Sequence, residues 1–284
     1  MAELVVVGGG RDSDGCPLGR CYAVQTGERA YLLDCGDSCG ALLRRRGIDP
    51  LSVRAVLISH MHYDHMAGLF QFLFGVWAYC RREEDVPEAI REYSSWGRLP
   101  ESALPESLTV AAPAEAVQSL EQFLPAVYLA RELWRFPLHV APVHVGPFYA
   151  DGRLRVLAHE TGHLSSQPAN RGLPARYPWL RLESFGFTVE VDGARLVYSG
   201  DLALSGEAGV EEFRPYAEGA DVILTEVAHV PLEYHLNMLR RTEAREIVLV
   251  HVHEKLADRL DAYLARIRDK RFILAENGLR LRLS

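Results

Sequence analysis

The chain has 284 residues, 48% hydrophobic and 24% charged, which is the balance of a globular protein with ample length for a substantial core. A formal net charge of −7 argues against broad, sequence-independent binding to nucleic acid. The longest strongly apolar run, Leu69 to Cys80, is shorter than the about 20 residues a bilayer span requires, and five scattered cysteines (Cys16, Cys21, Cys35, Cys39, Cys80) without zinc-finger spacing fit reduced thiols in a cytoplasm.

The opening "MAELVVVGGG" reads as a strand breaking into a glycine turn, without the basic region or cleavage site of a signal peptide, so a cytoplasmic location is expected. "CYAVQT" and "AYLLDCG" form a hairpin through Gly27, and "RAVLIS" is an apolar strand that runs into "HMHYDH". From Ala67 to about Arg82 the pattern is helical. The Phe70, Phe72, Phe74, Trp77 and Tyr79 series on it reads as helix packing. A Pro-, Ser- and Glu-rich stretch from about residue 83 to 107 reads as an insertion in a single domain spanning residues 1–284. "LTVAAPAEAVQSLEQFL" is a strand, a turn and a helix, and several short strands lie between Leu138 and Ala158. The later units are "GFTVEV", "ARLVYSGD", "DVILTEV", a helix from about Glu233 to Arg241, "EIVLVH", a helix from Leu256 to Arg268 and the closing "LRLRLS". Two antiparallel-rich sheets with helices outside accommodate this order.

Chemistry is concentrated at the strand ends. His60, His62, Asp64 and His65 crowd together, and such a cluster of neutral imidazoles and a carboxylate is costly to bury unless it binds a metal. In His-x-His, alternate positions can aim both rings at one ion, while Asp64 and His65 reach a second. Three further apolar strands finish on ligand-type residues: "VLAHETGH" on His163, with His159 a competitor; "LVYSGD" on Asp201; and "EIVLVH" on His251, with His253 a competitor on the same face. His139, His144 and His235 read as ordinary core or surface histidines.

These motifs resemble the metallo-β-lactamase-fold superfamily over nearly the whole chain. "HMHYDH" resembles its His-x-His-x-Asp-His signature, "YLLDCG" its strand-end Leu-Leu-Asp-x-Gly, "YSGD" its bridging-aspartate strand and "VLVH" its last histidine strand. The glycine-rich opening strand, "TEVAH" and "ILAENGLRLRL" are most similar to the ribonuclease Z-like phosphodiesterase branch. The resemblance implies an αβ/βα sandwich, four layers built from two mixed β-sheets flanked by helices. It also implies that one metal takes His60, His62 and His163, a second takes Asp64, His65 and His251, and Asp201 bridges them. "ETGH" resembles the Pro-Gly-His turn of other branches, which favours His163 over His159, and His251 is favoured because it directly follows "IVLV". Asp34 is expected to be a buried carboxylate that orients a ligating imidazole.

Two divalent ions about 3.5–4 Å apart would hold a bridging hydroxide as nucleophile and clamp the oxygens of an in-line displacement. Five imidazoles and two carboxylates suit zinc, with manganese or iron as alternatives. His62 stands where flavodiiron oxidoreductases carry glutamate, which favours hydrolysis over redox chemistry. The expected substrate is a small-molecule or short nucleotide phosphodiester. Arginine supplies nearly all the positive charge (the lysines are Lys255 and Lys270), and its fork suits phosphate. Transfer RNA is disfavoured by the lack of a glycine- and proline-rich basic arm, and Leu202 departs from the branch's usual Ser-Gly-Asp-Thr. An ester, lactone or thioester hydrolase is the alternative, and a metal-binding accessory protein without turnover a third reading. No membrane partner is expected, and a homodimer is compatible with the sequence. His253 or His229 is expected to protonate the leaving group, with Glu226 orienting either ring and a metal-bound water or Asp64 the fallback acid. The 83–107 insertion is expected to cover the cleft.

Overall fold

The apolar stretches do form strands, and the alternation along each explains how one strand serves two cores. The computed structural model describes residues 1–10, 19–252 and 254–284. Its strands are β1 (Ala2–Gly8), β2 (Cys21–Thr26), β3 (Arg29–Leu33), β4 (Val53–Leu57), β5 (Leu108–Pro113), β6 (Leu138–Val143), β7 (Gly146–Ala150), β8 (Leu154–Glu160), β9 (Phe185–Val191), β10 (Ala194–Tyr198), β11 (Val222–Glu226), β12 (Glu246–Val250), β13 (Phe272–Leu274) and β14 (Arg280–Arg282). They make two seven-stranded sheets, ordered β14-β1-β2-β3-β4-β5-β6 and β13-β12-β11-β10-β9-β8-β7. Each sheet is antiparallel in one half and parallel in the other, so both are mixed rather than antiparallel-rich.

Side chains alternate across each strand. Leu4 and Val6 enter the layer between the sheets with Val24, Leu33, Phe187, Leu196 and Val248, whereas Val5 and Val7 pack under helices Cys39–Arg45 and Leu69–Cys80. Val197, Ile223 and Leu249 do the same beneath helices Glu207–Ala217 and Leu232–Leu239. Both faces of the inner strands are dry, which is why those strands read as continuous apolar runs. Each fully buried aliphatic or aromatic side chain here is worth about 1.5–3 kcal/mol. No helix among the described residues is long and apolar enough to cross a membrane.

Strand direction corrects the role expected of residues 83–107. β5 runs parallel to β4, so its start lies at the edge opposite the end of β4 that leads into His60. Glu106 pairs with Arg29, the first residue of β3, at 2.8 Å. Further back, Arg81 stacks on Trp96, and Arg135 binds the Leu99 carbonyl and Glu101. The segment therefore packs at the far end of the first sheet and cannot cover the histidine cluster. Replacing it with a short Gly-Ser link is expected to leave the Michaelis constant unchanged. It should lower stability by roughly 2 kcal/mol or more, because buried Val86 and half-buried Leu99 and Leu104 lose their packing; steady-state kinetics and thermal unfolding of the same variant check both halves.

The segment that does reach the cleft is 164–184. It leaves β8 and re-enters β9 at the same edge as His163, and the Glu115 carboxylate, in the first turn after β5, accepts the backbone N–H groups of Arg181, Leu182 and Glu183. It thus ties the ends of both sheets together.

Candidate metal centre

Parallel strands end side by side, and the seven expected ligands sit at those ends. His60 and His62 follow β4, and the short helix Tyr63–Met66 carries Asp64 and His65. His163 opens the short helix His163–Ser166 after β8, while Asp201 and His251 follow β10 and β12. Backbone contacts seat the loops tightly. Arg20 N–H donates to the Asp64 carbonyl and Cys35 N–H to the His65 carbonyl, each at 2.8 Å. A side chain at Gly36 would collide with the Asp64 carbonyl. Gly200 holds φ at 58° against the Phe185 carbonyl, so "YSGD" needs glycine there. Asp34 and His251 are themselves in the left-handed region, at φ 63° and 56°, a strain that concentrates at functional sites.

Hydrogen bonds on the outer ring nitrogens decide what faces inward. Asp34 is fully buried and accepts from Ser59 N–H (2.7 Å), Ser59 Oγ (2.9 Å), His65 Nδ1 (2.7 Å) and Tyr198 OH (2.6 Å). With its proton given to Asp34, Ser59 Oγ accepts from His60 Nδ1 at 3.0 Å. His163 Nδ1 donates to the Leu202 carbonyl at 3.0 Å. His60 Nε2 and His163 Nε2 therefore turn lone pairs inward. They meet His62 Nδ1 at 3.0 and 3.3 Å, and that nitrogen can carry a proton for at most one of them.

Asp201 is 3% exposed and central: its carboxylate lies 3.8 Å from His60 Nε2, 3.7 Å from His163 Nε2, 3.4 Å from His65 Nε2 and 3.1 Å from His251 Nδ1. Asp64 stands 3.6 Å from His65 Nε2 and 3.9 Å from His251 Nε2. His60, His62, His163 and Asp201 each offer a ligand atom within 4.8 Å of the others, as do Asp64, His65 and His251, and as do Asp201, His229 and His251.

The electrostatics call for positive charge. Burial pushes His60 well below the ordinary imidazole value and lowers His62 and His163, so these rings are neutral. Burial alone would lower His65 too, but Asp201 and Asp34 push it up to about 10. Asp201 stays well below the usual carboxylate range despite its burial, held there by His65 and His251. His65 Nε2 is buried without a hydrogen-bond partner among the described residues. A donor set of convergent lone pairs, two carboxylates and an orphaned ring nitrogen fits divalent cations.

The competitors resolve by position. His159 points to the outer layer and stacks on Tyr216 at 3.8 Å, and His235 is buried against Thr225, both outside the cluster. His139 lies on edge strand β6 and His144 stands against Phe148. His253 lies outside the described residues. Glu226 closes β11, accepts from the backbone of Leu202, Ala228 and His229, and sits 3.3 Å from His229 Nδ1, which is itself 3.6 Å from Asp201. Arg20 and Gln167 are neighbours of the cluster outside the sequence motifs, and Ser59 and Tyr198 lie within quoted stretches that gave them no role.

Replacing Asp34 with asparagine is expected to weaken cation binding at Asp64, His65 and His251 by about 10–100-fold. Asp34→Ala should instead cost about 3–5 kcal/mol, by stranding four buried donors and a charged His65. Competition with a chromophoric chelator reads the first effect, and thermal unfolding the second.

Residues 14–232 match the family model of the metallo-beta-lactamase superfamily. A ribonuclease Z from Ignicoccus hospitalis is 27% identical over 263 residues, covering 80% of this chain and 79% of its own. Among solved structures, the metallo-beta-lactamase fold protein YhfI from Bacillus subtilis superposes with a TM-score of 0.68 at 17% identity over 99% of this chain and 100% of its own. Human tRNase Z, short form, gives 0.63 at 16% over 99% of each. The same sandwich is thus reached from sequence and from shape, and the chain belongs to the metallo-beta-lactamase superfamily, with its likeness on the ribonuclease Z side of it.

Proposed function

We propose that the protein is a binuclear-metal hydrolase acting on phosphodiesters. The observation that carries this reading is the place of Asp201, one buried carboxylate lying between two ligand sets. His60, His62 and His163 would hold one cation and Asp64, His65 and His251 another, with Asp201 shared. Such a pair of cations, zinc by donor set and manganese or iron as alternatives, acidifies water and neutralises charge on phosphoryl oxygens in an in-line displacement. The chain's own residues do the rest. Asp34, through Ser59 and directly, fixes the rings of His60 and His65; Leu202 fixes His163; Glu226 holds His229 beside Asp201, where it can give a proton to the departing oxygen. The names of the relatives, ribonuclease Z and tRNase Z, support a phosphodiester. The net charge of −7 favours a small or short nucleotide substrate over a long polyanion.

Purified protein loaded with zinc or with manganese should be assayed on bis(p-nitrophenyl) phosphate, a cyclic nucleotide, precursor transfer RNA, a homoserine lactone and a glutathione thioester. Phosphodiester turnover is expected to lead, with the small esters ahead of the RNA. Lactone or thioester hydrolysis faster by about an order of magnitude would hand the site to carboxyl-ester chemistry.

A further inference from the structure

The segment that ties the two sheets together at the cluster carries a group with no role so far. Gln167 is half-buried, and its Nε2 lies 3.0 Å from His163 Nε2. His163 Nδ1 gives its proton to the Leu202 carbonyl, so Nε2 is an acceptor and the Gln167 amide is the donor. That nitrogen is one of the three whose lone pairs converge in the cluster, so the amide N–H is aimed at its centre.

The aim is built in. Asn170 Nδ2 donates to the Leu164 carbonyl at 3.0 Å and stands 3.5 Å from Gln167 Oε1, which turns the amide oxygen outward and the nitrogen inward. Gln167 precedes Pro168, and a residue before proline is confined to extended backbone; here φ is −73° and ψ 122°. The short helix His163–Ser166 and the turn Pro168–Asn170 fix it on either side.

We propose that Gln167 is a substrate-binding donor that hydrogen-bonds a non-bridging oxygen of the phosphoryl group. Were His163 to hold a cation together with His60 and His62, its lone pair would be engaged and the Gln167 amide would lose its acceptor. An N–H left unpaired at a half-buried site costs free energy, and an anionic oxygen arriving at the cluster is the acceptor that repairs it. The inside of the site is otherwise rich in carboxylates and lone-pair nitrogens, so a neutral donor adds affinity for an anion without competing for the cation's place. This inference rests on the phosphodiesterase reading for the nature of the anion.

The test uses metal-loaded protein with inorganic phosphate as the probe, read by calorimetry, beside turnover of bis(p-nitrophenyl) phosphate and metal affinity by chelator competition. Gln167→Ala is expected to keep its metal and its thermal midpoint, to bind phosphate about tenfold more weakly and to lose roughly a hundredfold in kcat/KM. Gln167→Glu, of the same size but without the donor, should abolish phosphate binding while tightening the cation. Phosphate bound as tightly by Gln167→Ala as by the wild type overturns the proposal. So does a Gln167→Ala variant whose losses track released metal, which would make the residue a brace for His163, and so does a loaded wild type that takes up no phosphate. Phosphate binding weakened by Gln167→Ala, in a wild type that cleaves no phosphodiester, sinks the substrate assignment and leaves the donor standing.

Discussion

Asp201→Ala should purify with at most one transition-metal ion per chain, where the wild type is expected to carry close to two, and should lose nearly all turnover on every substrate. The loss is expected to exceed that at any other single position, because Asp201 is the one carboxylate among the described residues that reaches His60, His163, His65 and His251 together. Removing it takes a ligand from both sets at once. Chelator-treated protein separates this from simple unfolding. There the Asp201–His65 pair contributes to stability on its own, and deleting one partner of a buried pair costs about 3–5 kcal/mol. The sign with pH follows from the two shifts. His65 is raised from 6.5 to about 10, so its contribution is complete below 6.5 and is lost as pH rises towards 10. Asp201 is depressed from 3.8, so its contribution is present above that value and is lost as pH falls further. The mutational cost in chelated protein should thus be largest near pH 5–6 and shrink on both sides. Elemental analysis showing two ions in a fully folded Asp201→Ala variant would remove the bridging role. A metal-free wild type that stays fully folded would remove the enzyme reading.

Residues that act at a distance of two or three positions were open to a sequence reading, and those that act across the fold were not. "HMHYDH" declares itself because the ligand types are adjacent, and Asp201 and His251 because each terminates an apolar run. His163 and His159 could not be separated by alternation alone. The strand ends at Glu160 and the chain turns through Gly162, so His159 obeys the strand's face while His163 escapes it. Asp34 was legible in "LLDCG", but its partners Ser59 and Tyr198 were not, since Tyr198 comes from the opposite sheet. The helix Glu207–Ala217 was hidden by Gly206, Gly209 and Pro215, although Val210, Phe213 and Ala217 keep helical spacing. The place of residues 83–107 depended on β5 running parallel to β4, which local composition does not encode. Gln167 is a local case: it stands four residues past His163, but the single helical turn His163–Ser166 that sets it against that ring is too short to show a periodic pattern.

His229→Ala is expected to keep both metals and to slow cleavage of an alkyl or nucleoside phosphodiester by about 10²–10⁴-fold, while bis(p-nitrophenyl) phosphate is hardly affected. The reason is the leaving group. An alkoxide needs a proton as the bond breaks, whereas p-nitrophenolate leaves without one. His229 is placed to supply that proton: Nδ1 faces Glu226 at 3.3 Å and Asp201 at 3.6 Å, which leaves Nε2 to carry the transferable proton. Burial alone would lower this imidazole, but Glu226 and Asp201 raise it above its ordinary value, which favours the acid form. The rate on the alkyl substrate should accordingly fall as pH rises through that raised value, and the nitrophenyl rate should lack this limb. Glu226→Gln removes the larger of the two causes of the shift and should move the limb to lower pH. It should also weaken the seat of the Leu202 and Ala228 backbone, so a fall in thermal midpoint is expected with it. His229 also lies within reach of Asp201 and His251 as a third ligand set, and this gives the opposite outcome its meaning. If His229→Ala slows both substrates equally and loses an ion, His229 is a ligand, and the acid is to be sought at His253 and, failing that, at a metal-bound water or Asp64.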